Sequence, residues 1–180
     1  VPLDDEGLSR AEALAAHLAG ERFDLALCSA LIRARATAER ICRGRDVELE
    51  FTPELREMRF GAWEGLTWDE IVRRWPELDE RYEKSPRTYT AEGGESWEDV
   101  CARVERILRR TGARLAPDGR ALIVCHAGVL HAIVHGVAGA AGTTGVGIKF
   151  VPCGILRVRG SFEAGWSLTA INETAEALSA

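Results

Sequence analysis

The stretch ALIVCHAGVLHAIV, residues 121–134, decides the fold, because an apolar strand passes directly into an apolar helix with His126 at the junction. Residues 121–125 are continuously apolar, which is typical of a strand that is buried on both faces of a sheet. Beyond His126, the residues Leu130, Ile133 and Val134 recur at helical spacing. This succession predicts an open α/β sheet, in which His126 lies at the carboxyl end of its strand.

The same succession occurs earlier in the chain. Leucines and alanines at helical spacing predict an amphipathic helix over residues 4–18, with Asp4 or Asp5 available as its N-cap. Residues 23–29 predict a short strand and residues 31–43 a second helix. Val47, Leu49 and Phe51 alternate with polar residues, as in a half-buried strand. Together these segments predict a β-α-β unit.

The middle of the chain departs from this rhythm. A short helix that ends at Pro76 and a polar stretch after it predict a small helical lid, inserted at about residues 65–96. A stronger helix begins at Ser96, where Asp99 completes a Ser-x-x-Asp start signal. Near the end, residues 155–159 and 167–172 predict two strands that pair as an edge hairpin.

Length and composition limit the class of protein. With 180 residues, 46% of them hydrophobic, the chain predicts one domain over residues 1–180 with one substantial core. No apolar run is long enough for a membrane span, and no basic segment followed by an apolar one opens the chain. Five cysteines, odd in number and without a Cys-x-x-Cys pair, favour reduced thiols in the cytoplasm over a zinc or disulfide framework.

Charge limits the class of ligand. A net charge of −5 disfavours a nucleic-acid partner, which would require clustered excess lysine and arginine. Arginine is still abundant locally, and that pattern suits a small anionic ligand better than a polymer. His131 and His135 have the spacing of metal ligands on a helix, but Ala132 interrupts a His-Glu-x-x-His motif and no third ligand is evident, so no metal is predicted.

Three stretches supply candidate site residues: CSALIRARATAE at 28–39, LREMRFGAWEG at 55–65 and LIVCHAG at 122–128. Arg33, at the start of a helix, can fork two N–H groups onto a phosphate. Glu57, in a loop after a strand, can protonate a leaving alkoxide. His126, at a strand end, can donate to the phosphoryl group. The alternatives are a surface arginine, a solvated glutamate paired with Arg56 or Arg59, and a histidine satisfied by backbone.

The order and wording of these stretches resemble the histidine phosphatase superfamily, in the phosphoglycerate mutase-like branch that includes small bacterial phosphatases. The resemblance implies an α/β fold, a three-layer α/β/α sandwich with a mostly parallel central sheet and a small helical lid. It also implies a phosphomonoester hydrolase that acts on a small phosphorylated metabolite without a cofactor. In the family mechanism a histidine attacks phosphorus, Glu57 protonates the departing alcohol, water cleaves the phosphohistidine, and Arg33 and His126 hold the oxygens.

The chain departs from the family pattern in two places. Ala30 stands where a proline is more usual, and the Arg-His-Gly that carries the nucleophilic histidine is absent from the 180 residues. The resemblance implies that this tripeptide, and the strand that it ends, lie upstream of Val1. His17, His131 and His135 fall inside predicted helices and cannot easily replace it. We therefore expect residues 1–180 alone to form no phosphohistidine.

Two other functions stay open at this point. A phosphomutase of the same family would share these motifs, although the short lid favours hydrolysis. A non-catalytic module that binds a phosphorylated ligand would also fit, if the nucleophile is truly absent. The substrate stays open between α-ribazole 5′-phosphate, a sugar phosphate and phosphoserine, and a homodimer stays open as the assembly.

Overall fold

The structure, a computed structural model, describes residues 1–76, 78, 90–142 and 147–175. Its centre is a parallel sheet of three strands, β1 (Leu25–Ser29), β2 (Leu49–Thr52) and β3 (Ala121–Val124), in the order β2-β1-β3. Cys28 of β1 lies opposite Phe51 on one side and Val124 on the other. Every residue of the middle strand β1 is buried. The predicted β-α-β unit is therefore confirmed, with β2 slightly later than its alternation indicates.

The helices are α1 (Asp5–His17), α2 (Ile32–Cys42), α3 (Trp68–Arg74), α4 (Trp97–Gly112) and α5 (Ala127–Gly142). Successive residues of a strand face opposite sides of its sheet, so β3 contributes to two cores. Leu122 and Val124 pack with the α1 and α2 side chains, whereas Ile123 packs with those of α4 and α5. The predicted three-layer α/β/α sandwich is confirmed.

Capping residues explain where the helices begin. Asp4 accepts a 2.8 Å hydrogen bond from the Gly7 backbone, and Ser96 and Asp99 form a reciprocal capping box at the start of α4. Such caps satisfy backbone N–H groups that have no partner within the helix, and each typically contributes about 1 kcal/mol. Both of these predicted helix starts are confirmed. The last helix, α5, is interrupted near its C-terminal end at Gly139, where φ is 74°.

The predicted pairing of the last two strands is confirmed, but their predicted place at the edge of the central sheet is wrong. Strands β4 (Ile155–Ser161) and β5 (Gly165–Glu173) are antiparallel and form a separate two-stranded sheet. Arg157 of β4 bonds to both Glu21 and Glu173, and the His17 ring lies 3.0 Å from Glu173. These contacts hold the hairpin against the end of α1 and the loop after it.

One edge of the central sheet is open. Within the described ranges, β3 pairs with β1 on one side and with no strand on the other. Its four residues are apolar but only half-buried, in contrast to the fully buried β1.

The two chain segments at either end of the predicted lid insertion are hydrogen-bonded to each other. The backbone N–H of Ala62 donates to Glu92 O at 2.9 Å, and that of Glu95 donates to Arg59 O at 2.9 Å. Gly61 lies between them with φ 53°, and a side chain there would overlap the Glu92 carbonyl. Helix α3 lies inside this insertion, whereas residues 77 and 79–89 lie outside the described residues. In the part of the chain that is described, no helix combines the length and the apolar character that a membrane span requires.

Candidate active site

The three predicted site residues follow the carboxyl ends of the three parallel strands. Arg33 is the second residue of α2, which follows β1. Glu57 lies in the loop beyond β2, after a single 3-10 turn, and His126 lies between β3 and α5. Carboxyl ends of parallel strands meet at one rim of a sheet, which is where open α/β sheets bind ligands.

His126 is buried, with 8% of its surface exposed. Its Nε2 lies 2.8 Å from the hydroxyl oxygen of Ser29, at the end of the neighbouring strand. Burial, with smaller contributions from the positive charges of Arg33 and Arg103, lowers the pKa of His126 to about 4. The imidazole is therefore neutral at neutral pH.

The Glu57 carboxylate lies at the start of α5. Its Oε1 accepts hydrogen bonds from the backbone N–H groups of Met58, at 2.9 Å, and Gly128, at 3.1 Å. The second oxygen, Oε2, has only a longer contact of 3.4 Å with Gly128 N. Gly128 is in the first turn of α5, so Glu57 satisfies an N–H group that the helix leaves free. Within the described residues Glu57 has no ion pair with Arg56 or Arg59.

Position 128 leaves no room for a side chain unless the Glu57 carboxylate moves, because the helix and the carboxylate approach closely. A β-carbon at Gly128 would overlap the Glu57 carboxylate at Oε1. Gly128 thus brings the loop that carries Glu57 close to the strand end that carries His126.

Arg33 is half-buried, and its guanidinium has no hydrogen-bond or ion-pair partner among the residues that the structure describes. Other arginines of the same helix are engaged: Arg35 stacks on Phe51, and Arg40 pairs with Glu12 at 2.9 Å. A guanidinium in the first turn of a helix, without a partner in the described part of the chain, is suited to bind an anion.

Sequence reasoning missed two groups near the rim. Ser29 lies in the stretch at residues 28–39, but nothing in the sequence pointed to its contact with His126. The second group is the pair of Arg103 and Glu95, in which the guanidinium donates to both carboxylate oxygens at 2.6 and 3.1 Å and to Glu54 O at 2.5 Å. The one available signal was the position of Arg103, which falls on the apolar stripe of α4 between Val100 and Ile107.

Other nucleophiles and metal ligands are less suited to this rim. Burial raises the pKa of the Cys28 and Cys125 thiols to about 12, so neither supplies a thiolate. His131 packs edge-on against Phe150 and His135 against Trp97. No group of three or more possible metal-ligating residues occurs within residues 1–76, 78, 90–142 and 147–175.

Comparisons with known proteins agree on one family. The profile described as histidine phosphatase superfamily (branch 1) matches residues 1–174. An adenosylcobalamin/alpha-ribazole phosphatase of Salmonella typhimurium is 35% identical over 133 residues, which are 74% of this chain and 65% of that protein. A 2,3-bisphosphoglycerate-dependent phosphoglycerate mutase of Bartonella henselae is 34% identical over 146 residues, covering 75% of this chain and 71% of the mutase.

A solved structure gives the same result. The mycobacterial glucosyl-3-phosphoglycerate phosphatase in complex with inorganic phosphate superposes with a TM-score of 0.85 and 26% identity, covering 97% of this chain and 89% of that one. The similarity therefore extends over both layers of helices and the sheet between them. At the same time, the sequence match to the Salmonella relative spans less than two thirds of its length.

Proposed function

The chain belongs to the histidine phosphatase superfamily, and on this basis we propose that it is a phosphomonoester hydrolase that acts on a small phosphorylated metabolite through a phosphohistidine. The observation that carries the proposal is the arrangement at the sheet rim: an unpaired Arg33, a neutral His126 and a Glu57 with one lightly engaged oxygen. Phosphoryl transfer requires oxygens to be held and charge to be neutralised, and these groups are suited to both tasks.

Each residue has a separate task in this proposal. Arg33 donates two N–H groups to the equatorial phosphate oxygens, and His126 donates one N–H. Glu57, protonated at Oε2, gives its proton to the ester oxygen as the alcohol leaves. The same carboxylate then takes a proton from the water that cleaves the phosphohistidine. Inorganic phosphate leaves, and both histidine and glutamate return to their starting states.

We propose that none of the four histidines in residues 1–180 is the attacking one. Among the described residues, His17 is bonded to Glu173 far along α1, and His131 and His135 lie inside α5 against aromatic rings. We propose that the attacking histidine is carried by a strand that pairs with the free edge of β3. A parallel strand there would end at the same rim, beside His126, and the Arg-His-Gly segment implied by the family resemblance fits that place.

The test uses the full-length protein and a panel of phosphomonoesters that includes α-ribazole 5′-phosphate, sugar phosphates, phosphoserine and p-nitrophenyl phosphate. Rapid acid and base quenches with a radiolabelled substrate should trap a phosphoenzyme that is labile in acid and stable in base. Residues 1–180 alone should give neither phosphoenzyme nor turnover. Turnover by that chain, with its intact mass verified and contaminating phosphatases excluded, would show that the nucleophile lies within residues 1–180.

A phosphomutase is the second candidate, and the similarity to the Bartonella mutase favours it specifically. The two activities differ in where the phosphoryl group ends. A hydrolase releases one inorganic phosphate for each alcohol formed, whereas a mutase returns the group to a second hydroxyl and depends on a bisphosphorylated primer. Phosphate release that matches alcohol release, without a primer, favours hydrolysis.

A non-catalytic module is the third candidate. It would bind inorganic phosphate or a phosphorylated ligand at Arg33 and His126 and form no phosphoenzyme with any substrate. Binding measured by calorimetry together with a negative quench experiment on the full-length protein would select it.

A further inference from the structure

We propose that Ser29 is a positioning residue: its hydroxyl donates to Nε2 of His126 and holds the ring in the Nδ1–H tautomer, which can donate to a bound phosphate oxygen. The tautomer is inferred from the contacts of Ser29 and His126 together with the neutral state of the ring. Its consequence for catalysis rests on the function proposed above.

The contact between the two side chains is set by the sheet. Ser29 is the last residue of β1 and is fully buried, and Cys28 before it lies opposite Val124 of β3. The two strands therefore end side by side, and the Ser29 hydroxyl lies 2.8 Å from His126 Nε2. That distance is the usual one for a hydrogen bond with an O–H donor.

The direction of this hydrogen bond follows from the partners of the hydroxyl. Ser29 Oγ already accepts from the Leu31 backbone N–H at 3.2 Å. If His126 Nε2 also donated to it, the buried hydroxyl proton would have no acceptor in the described part of the chain. A buried donor without a partner is unfavourable. If the hydroxyl donates to Nε2, then the Leu31 N–H, the Ser29 hydroxyl and His126 Nε2 each have a hydrogen-bond partner.

The ring then has only one way to carry its proton. His126 is neutral at neutral pH, because burial lowers its pKa to about 4, so one nitrogen is protonated and the other is not. With Nε2 accepting from Ser29, the proton is on Nδ1. Nδ1 has no hydrogen-bond partner among the described residues, and it is not among the buried polar atoms that lack a partner. It is therefore accessible to a ligand.

The tautomer decides whether His126 attracts or repels a phosphate. A neutral ring with N–H at Nδ1 donates to an oxygen, whereas a ring with a lone pair there opposes one. Ser29 would thus control the sign of this interaction without touching the substrate. In this respect it differs from a residue that only fills space at the end of β1.

The experiment measures the ring nitrogens of His126 in the full-length protein by long-range ¹⁵N–¹H NMR at neutral pH, without substrate. We expect the wild-type spectrum to show a protonated Nδ1 and an unprotonated Nε2. In Ser29→Ala the ring should move towards the tautomer mixture of free imidazole, and the Kd for inorganic phosphate should rise about tenfold or more. Ser29→Thr, which keeps the hydroxyl, should recover the wild-type tautomer and most of the affinity.

The wild-type spectrum alone can overturn the proposal, even if Ser29→Ala does not fold. A proton on Nε2 would contradict it, as would a Ser29→Ala spectrum with an unchanged tautomer. The result is also separable from the test of the proposed function. The expected tautomer in a protein without a phosphoenzyme would reject the function alone, and an active phosphatase with its proton on Nε2 would reject this inference alone.

Discussion

The two carboxylate oxygens of Glu57 have different tasks: Oε1 holds backbone N–H groups, and Oε2 is proposed to carry the transferable proton. Oε1 accepts the backbone N–H groups of Met58 and Gly128, while Oε2 has only a contact of 3.4 Å. A glutamine keeps one carbonyl oxygen and can still accept those two N–H groups. Glu57→Gln therefore removes the transferable proton and leaves the N-terminus of α5 satisfied.

We expect the loss of kcat/KM in Glu57→Gln to depend on the leaving group of the substrate. With an alkyl phosphate, whose departing oxygen is strongly basic, kcat/KM should fall by about 10²–10⁴-fold. With p-nitrophenyl phosphate, which needs little protonation, the loss should be far smaller. The measurement is kcat/KM of the full-length protein on both substrates, with thermal unfolding as the control for the fold. Equal losses on the two substrates would speak against Glu57 as the acid.

Gly128→Ala should disturb Glu57 without changing its chemistry. The added β-carbon overlaps Glu57 Oε1, so the carboxylate must move away from α5. We expect the same dependence on the leaving group as in Glu57→Gln, together with a loss of stability. Gly136→Ala is the matched control, because it lies in the same helix with nothing within 4 Å of the added carbon. That control should retain activity and gain about 0.5–1 kcal/mol of stability. Similar activities for the two variants would contradict the proposed close approach.

His126 should make stability depend on pH. Its pKa is about 4 in the folded chain and about 6.5 when unfolded, so only the unfolded chain binds the proton between these values. The free energy of unfolding should therefore fall by about 3 kcal/mol as the pH drops from about 6.5 to about 4. Urea titrations of the wild type and His126→Gln at several pH values measure this contribution. A slope that is the same in both proteins would show that His126 is not the group responsible.

The site could be predicted from the sequence only in part. Arg33, Glu57 and His126 each lie in a recognisable local stretch, so motif and strand-end reasoning reached them. The contact between Ser29 and His126 joins residues 97 positions apart and depends on the pairing of β1 with β3. The Arg103–Glu95 pair depends on how α4 packs, which the apolar stripe alone does not give.

Among the elements, helix starts were the most predictable feature. Asp4 and Ser96 carry their own hydrogen-bonding signals, and the structure uses both. Strand order was not predictable in the same way, because β1 and β3 pair across almost 100 residues and no local signal fixes the neighbour. The pairing of the last two strands, in contrast, is local, and the sequence predicted it.

The base of the insertion should be sensitive to Gly61. Gly61 and Gly65 both have positive φ, of 53° and 79°, but only at Gly61 would a side chain overlap neighbouring backbone. Gly65→Ala should therefore lose about 1 kcal/mol from backbone strain alone. Gly61→Ala should lose more and should separate residues 59–62 from 92–95.

Urea unfolding and limited tryptic digestion test this expectation together. Arg73 and Arg74 are exposed on α3, inside the insertion, and provide the cleavage sites. Cleavage there should accelerate in Gly61→Ala and stay close to the wild-type rate in Gly65→Ala. Equal behaviour of the two variants would mean that the close contact with residues 92–94 does not hold the insertion.

At the scale of the whole molecule, the family and the sandwich were both accessible from the sequence, because alternating strands and helices leave few arrangements. The structure adds that the hairpin forms its own sheet and that, among the strands of the described residues, β3 pairs only with β1. The one-domain organisation and the cytoplasmic location stay predictions. The two cores and the rim serve one proposed function: the sandwich holds a phosphate between α2 and the end of β3.

Arg33→Ala in the full-length protein tests that claim most directly. Loss of a charge-assisted contact with the phosphoryl group should lower kcat/KM by about 10³-fold or more on p-nitrophenyl phosphate. Arg35→Ala is the matched control, since Arg35 is two residues away on the same helix and stacks on Phe51. We expect Arg35→Ala to keep nearly the wild-type kcat/KM. Retention of more than about a tenth of the wild-type value by a folded Arg33→Ala would contradict the account.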